Sequence, residues 1–241
     1  MDWQAHRRDA HSLGRTQEFL KQITYGGNDG IVTTFAIVAG FAGAAAEGAA
    51  QVGAVAVLVF GLANLIADAV SMGLGEFLST RSAHDMFHAR HARELEEISE
   101  NPDQEQMEMI TILQQRGLNE ADAAATTEIL IRNPPMMADL MMTYEFGMMD
   151  PEGDNPAING FFTFISFVVF GAVPLVPYFL LPPDSQTFVL SLVASGGALV
   201  ALGLLRWNAT GEHWFRCVAE TVAVGSVCGA VAYAVGWLVV V

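Results

Sequence analysis

"NLIADAVSMGLGEFLSTRSAHD" (Asn64–Asp85) joins two kinds of chain. Up to Leu78 the sequence is apolar from Val52 onward, apart from Asn64, Asp68, Ser71 and Glu76. Beyond it, "STRSAHDMFHARHARELEEI" (Ser79–Ile98) is polar and charged, yet no proline or loop-forming run separates the two parts. The stretch therefore predicts one helix that crosses a membrane and continues into water. A membrane span needs about 20 apolar residues, and four further runs meet that length. The five predicted spans are 24–46, 51–76, 159–181, 186–205 and 217–240.

The composition agrees with this division. Of 241 residues, 52% are hydrophobic and only 15% charged, too apolar for an ordinary soluble domain, while the net charge is −15. Sixteen acidic residues lie between Asp85 and Asp154, against four arginines, Arg90, Arg93, Arg116 and Arg132. Such a field repels phosphate and excludes nucleic acid as a partner. Cations are its natural counterpart. Every basic residue precedes span one (Arg7, Arg8, Arg15, Lys21), lies between spans two and three (Arg81 and the four above), or lies between spans four and five (Arg206, Arg216). The opposite loops, around Glu47 and at Pro182–Gln186, have none. The positive-inside rule then places the N-terminus and the acidic segment in the cytosol.

The expected fold is an all-α integral membrane protein. Residues 1–23 form a cytosolic segment and 24–80 carry spans one and two. An acidic helical domain at 81–158 precedes spans three to five at 159–241. Within that domain, Asn101-Pro102 opens a helix that Gly117 stops, and Asn119 caps the next. A last helix starts near Pro135 and ends near Gly147. Cys217 and Cys228, eleven helical residues or roughly 16 Å apart, are too distant for a disulfide. The N-terminal sequence has no apolar core of a cleavable signal peptide.

Ionisable groups inside spans are costly and mark pathways. Span one opens with "YGGNDGIVTTF", which places Asn28 and Asp29 near its cytosolic end. Asp68, Met72 and Glu76 follow one another at i,i+4 on span two and share a face. Two antiparallel helices can thus offer carboxylates and a thioether to one ion. The competing readings are that Asp29 caps a helix starting in "GGNDG" and that Met72 faces lipid. Asp68 and Glu76 also fit a proton relay or a buried hydrogen-bonded pair, and Glu220 fits an interfacial pair with Arg216 as well as a transport role.

Three helix faces in the acidic domain carry further candidates: Glu94 with Glu97, Glu105 with Glu108, and Met141 and Met142 with Glu145. Carboxylates alone suit Mg²⁺, Ca²⁺ or Mn²⁺, and thioethers shift preference toward a softer ion such as Fe²⁺. The competing reading is a solvated acidic face beside methionines that merely fill a core. Met136 and Met137 read as packing, Met148 and Met149 stay open, and Met107, Met109, Ile110, Ile112 and Leu113 read as one buried stripe. His84, His88 and His91 read as an interfacial collar in preference to a metal site.

"GGNDGIVTTFAIVAGFAGA", "ADAVSMGLGEFLSTRSAHD", "RELEEI", "MADLMMTYEFGM" and "GAVPLVPYFLL" occur in that order. Together they resemble the vacuolar iron transporter family from Tyr25 onward. The resemblance implies a five-span dimer that exports Fe²⁺, and often Mn²⁺, from the cytosol in exchange for protons, with no enzymatic activity. Zn²⁺ and Co²⁺ are further candidate ions. It implies Glu94, Glu97, Glu105, Glu108, Met141, Met142 and Glu145 as metal ligands of the cytosolic domain, and Asp29 and Met72 as the translocation pair. Where plant members carry a glutamate, this chain has Asn64, with Asp68 one turn later. "GSVCG" (Gly225–Gly229) offers a small-residue helix contact for a dimer. The short polar N-terminus favours a bacterial cell membrane over a vacuole. A membrane-anchored metal buffer and a carboxylate-gated Mg²⁺ or Ca²⁺ channel are the rival functions.

Overall fold

A computed structural model describes residues 15–46, 54–151, 153–182 and 185–240. Arg7, Arg8, Glu47, Pro183 and Asp184, used above to argue orientation, lie outside the described residues. Every regular element among the described residues is helical. A short α1 (Arg15–Glu18) leads into α2 (Leu20–Ala46), and α3 (Ala54–Glu100) follows. Three shorter helices come next: α4 (Pro102–Gln115), α5 (Glu120–Leu130) and α6 (Pro134–Tyr144). Then come α7 (Pro156–Ala172), a 3₁₀ turn at Val173–Leu175, α8 (Val176–Leu180), α9 (Ser185–Thr210) and α10 (Trp214–Val240).

Among the described residues, four helical stretches are long and apolar enough to cross a membrane: Val55–Glu100, Pro156–Leu180, Gln186–Thr210 and Trp214–Val235. α2 has spanning length at 27 residues but is interrupted by polar groups such as Asn28 and Asp29. It is not one of the four. At 47 residues α3 is about 70 Å long. That is more than twice the hydrocarbon thickness of a bilayer, so only its apolar first half can be a span.

The chain divides into two compact units, one of residues up to Phe77 with Ala157 onward, the other Leu78–Pro156. In the first, Val38, Leu65, Ala69, Phe167 and Leu175 form one buried cluster, and Ile31, Ala198, Leu199 and Leu202 another. Glycines set how closely the helices approach. A Cβ on Gly30 would strike the backbone of Phe167, and one on Gly160 would strike the carbonyl of Gly73. Outward-facing Val59, Phe60, Ile66, Val70 and Leu74 leave α3 with an apolar surface that water would not favour. Trp207, Trp214 and Phe215 are exposed beside Arg206 and Arg216, the aromatic and basic pairing of a membrane–water boundary.

The third apolar stretch departs from the uninterrupted helix expected over 159–181. Pro174 and Pro177 each lack an amide donor, and the backbone tightens to a 3₁₀ turn between α7 and α8. Ser191 on α9 donates to the Pro174 carbonyl (2.6 Å), supplying a donor where the regular ladder fails. Gly225 and Gly229 also depart from expectation. The first packs on Leu199 and the second on the ring of Phe35, both in the same chain, so the motif serves internal packing.

In the second unit Ile98, Met109, Leu130, Met137, Ala138 and Met141 form the core. Asn101 and Pro102 start α4, and Gly117 at φ +107° ends the turn after it. The Asn119 side chain accepts from the Asp122 amide at the start of α5. Gly147 at φ +65° lets the Met148 amide reach back to the Met142 carbonyl and closes α6. Met107, expected in a buried stripe, is 62% exposed, because it sits two residues from fully buried Met109, about 200° around the helix.

Candidate metal centre and ion path

Glu94 and Glu97 come from α3, Glu105 and Glu108 from α4, and Met141, Met142 and Glu145 from α6 and its C-cap. The second unit brings these three helix faces together. Glu94 and Glu105 are almost fully buried, at 1% and 2% exposure, whereas Glu145 stays exposed. One oxygen of each buried carboxyl, Glu94 Oε2 and Glu105 Oε2, has no hydrogen-bond partner among the described residues. A buried carboxylate oxygen without a donor is strongly unfavourable unless a proton or a cation compensates it.

Burial pushes the Glu94 pKa up to about 7, helped by Glu105, Glu145 and Glu97 and opposed by Arg90. Burial also raises Glu105, with Glu108, Glu97 and Glu145 adding to it and a hydrogen bond to Glu94 opposing. Glu145 is raised by burial first and by Glu108 next, with Arg90 opposing. Glu94, Glu105 and Glu145 thus each lie within electrostatic reach of Glu97, and Glu105 and Glu145 also of Glu108. Among the described residues, no three acidic or imidazole groups yet converge on one ion position. Holding an ion requires side-chain adjustment, which Glu97 and Glu108 can make at their partly exposed positions. Glu97 accepts from Arg93 (3.0 Å) and Glu108 from Gln104 (2.8 Å), both exposed bonds on their own helices.

The folded-state pKa of Glu94 lies above that of an unfolded glutamate. The group therefore stabilises the metal-free fold at low pH, and that contribution is lost as the pH rises from about 4.5 through about 7. A cation bound to the ionised form reverses the loss.

The methionines divide. Met137 and Met141 belong to the apolar core, so packing accounts for both. Met142 is equally buried but is not a member of that cluster. Met136 and Met149 are exposed. Two of the histidines meet acids within the unit: His91 pairs with Asp139 at 2.9 Å and stacks on Phe87, and His84 lies 3.5 Å from Asp154. A residue that sequence reading missed is Arg90. Its guanidinium lies 4.0 Å over the Phe146 ring and acts on both Glu94 and Glu145. The signal was its i,i+4 spacing to Glu94.

In the first unit, α2 starts at Leu20, so Asp29 is a mid-helix residue and not a cap. It is half-buried, with Thr33 donating to its carbonyl (2.6 Å) and more loosely to Oδ1 (3.4 Å). Asp68 on α3 is near enough for its charge to act on Asp29. Asn64, Asp68 and Met72 make a half-buried stripe on α3, where Asn64 Nδ2 donates to Asp68 Oδ2 at 2.6 Å. Met72 also packs against the Leu65–Phe167 cluster. Glu76 differs from Asp29 and Asp68 in having a cationic partner, Lys21 at 3.4 Å, as well as Gln22 at 3.2 Å. Glu220 is an interfacial ion-pair partner, 2.9 Å from Arg216 and 3.3 Å from Arg206.

The profile of the VIT family matches residues 20–237. The chain is similar to Vacuolar iron transporter 2 of Oryza sativa subsp. japonica, 34% identical over 216 residues, which is 90% of this chain and 85% of that protein. It is 33% identical over 216 residues to Vacuolar iron transporter 1 of Arabidopsis thaliana, covering 90% of this chain and 84% of the relative. A Vacuolar iron transporter of Plasmodium falciparum (isolate 3D7) is 31% identical over 242 residues, 96% of this chain and 86% of its own.

Proposed function

The chain belongs to the VIT family, and from that premise we propose that it exports Fe²⁺, and also Mn²⁺, from the cytosol in exchange for protons. The family is one of transporters, not of enzymes. The observation that carries the reading is the pair of buried oxygens on Glu94 and Glu105, without hydrogen-bond partners among the described residues and within electrostatic reach of three more carboxylates.

In this reading α2 completes a five-span topology with the acidic unit in the cytosol. Glu94, Glu97, Glu105, Glu108 and Glu145 collect the divalent ion. Met142, together with Met141, whose other contacts are in the core, tips selection toward Fe²⁺ and away from Mg²⁺, which gives up its waters reluctantly and avoids thioethers. Zn²⁺ and Co²⁺ match the same donors less specifically. Asp29, Asp68 and Met72 then bind the ion inside the membrane, with Glu76 at the cytosolic mouth. Protonation from the far side releases it, the usual logic of an exchanger. The chain works as a homodimer in a cell membrane. Exposed Ala63, Ala67, Ser71 and Gly75 recur every fourth residue on the outward face of α3 and allow two copies to approach closely.

Coupling is tested by vesicles that hold a pH-sensitive dye and carry the protein with its acidic unit outward. External Fe²⁺ should alkalinise the lumen as protons leave. Iron entry with an unchanged lumen pH contradicts the exchange.

A further inference from the structure

Three acidic side chains lie in the span regions of α2 and α3, and they are held in two chemically different ways. Glu76 is met by the Lys21 ammonium and the Gln22 amide, so a cation already sits beside it. Asp68 is met by a neutral donor, the Asn64 amide at 2.6 Å. Among the described residues Asp29 has only the Thr33 hydroxyl at its carboxylate. A neutral donor orients a carboxylate while leaving its full charge for another cation, whereas an ammonium removes that charge.

The Asn64 bond also limits the rotamers of Asp68. Both residues lie on α3 one turn apart and half-buried, so the amide ties Oδ2 along the helix axis. Among the described residues Oδ1 accepts no hydrogen bond and remains available. Met72 follows one turn further on the same stripe, and Asp68 lies within electrostatic reach of Asp29 on α2.

We propose that Asn64 is a positioning residue of the ion path: its amide holds Asp68 in place without neutralising it, and so makes Asp68 the second membrane carboxylate, after Asp29, that the divalent ion meets. The inference rests on the transport reading above. An untethered Asp68 would sample several rotamers, and the ion would then have to order it on binding.

The test is Fe²⁺ flux into proteoliposomes as a function of Fe²⁺ concentration. It compares wild type, Asn64→Leu (similar volume, no donor) and Asn64→Gln (donor kept), with the thermal midpoint of each purified protein as a check on folding. Asn64→Leu should raise the apparent KM about tenfold, the usual worth of one hydrogen bond to a charged group, with maximal flux and midpoint nearly unchanged. Asn64→Gln should recover most of the affinity. A KM for Asn64→Leu within about twofold of wild type, in vesicles where the wild type transports, overturns the positioning role and leaves transport standing. Equal loss of midpoint and maximal flux in both variants overturns it too, by making Asn64 a packing residue. A wild type that moves no Fe²⁺ removes the transport reading and this inference together.

Discussion

Asp29→Ala is expected to abolish Fe²⁺ flux, lowering it by at least about a hundredfold, the loss of roughly one well-placed charged ligand. Asp29 is a mid-helix residue of α2, half-buried, and among the described residues its carboxylate has a single weak hydroxyl contact and no cationic partner. A charge is retained at such a place only at a substantial energetic cost, which marks the position as functional. Alanine suits a helix at least as well as aspartate, so folding should survive the change. Metal binding by the acidic unit should survive as well, because that unit contains its own ligands. Flux and binding therefore separate in this variant. Flux within a few-fold of wild type would remove Asp29 from the path and leave a membrane-anchored metal buffer as the better description.

The paired variant Glu94→Gln with Glu105→Gln is expected to have two opposite effects. Without metal at pH 8, the wild type holds two buried acids that resist ionisation, and each has an oxygen without a donor. Neutral amides remove that repulsion. The free energy of opening of α4–α6, read by hydrogen exchange, should rise by about 2 kcal/mol. The gain should shrink toward pH 5, since Glu94, with its pKa near 7, is protonated there in the wild type and already contributes its stability. Added Mn²⁺ or Fe²⁺ should protect the same amides in the wild type at pH 8 and leave the variant unchanged. Equal metal protection in both proteins would move the site away from these two glutamates.

Much of the helical layout was legible because its punctuation is local. Asn101-Pro102, Gly117, Asn119 and Gly147 act through their own backbone chemistry, and each appears where its chemistry predicts. The facing of Glu94, Glu97, Glu105 and Glu108 followed from helical spacing alone. What spacing could not supply was the identity of neighbours from other helices. Lys21 meets Glu76 from 55 residues away, and nothing local to "GLGEF" announces it. Gly225 and Gly229 have the spacing of a dimer motif, yet Leu199 and Phe35 of the same chain fill the space beside them. The Met141 face holds both Glu145 and the core, and only packing against Ile98 and Leu130 shows the second role. Met107 failed for a simpler reason: alternate residues of a helix face different ways, so a run rich in apolar residues is not one stripe.

The central claim is coupled export of a divalent ion selected from a cytosol rich in Mg²⁺. Its most direct measurement is uptake of labelled Fe²⁺ into proteoliposomes with an acidic lumen and a large excess of external Mg²⁺, with and without the pH gradient. The account predicts rapid uptake that Mg²⁺ does not suppress and that collapses when the gradient is dissipated. Uptake that Mg²⁺ suppresses in proportion to its concentration and that ignores the gradient would contradict it, and would make the protein a carboxylate-lined channel.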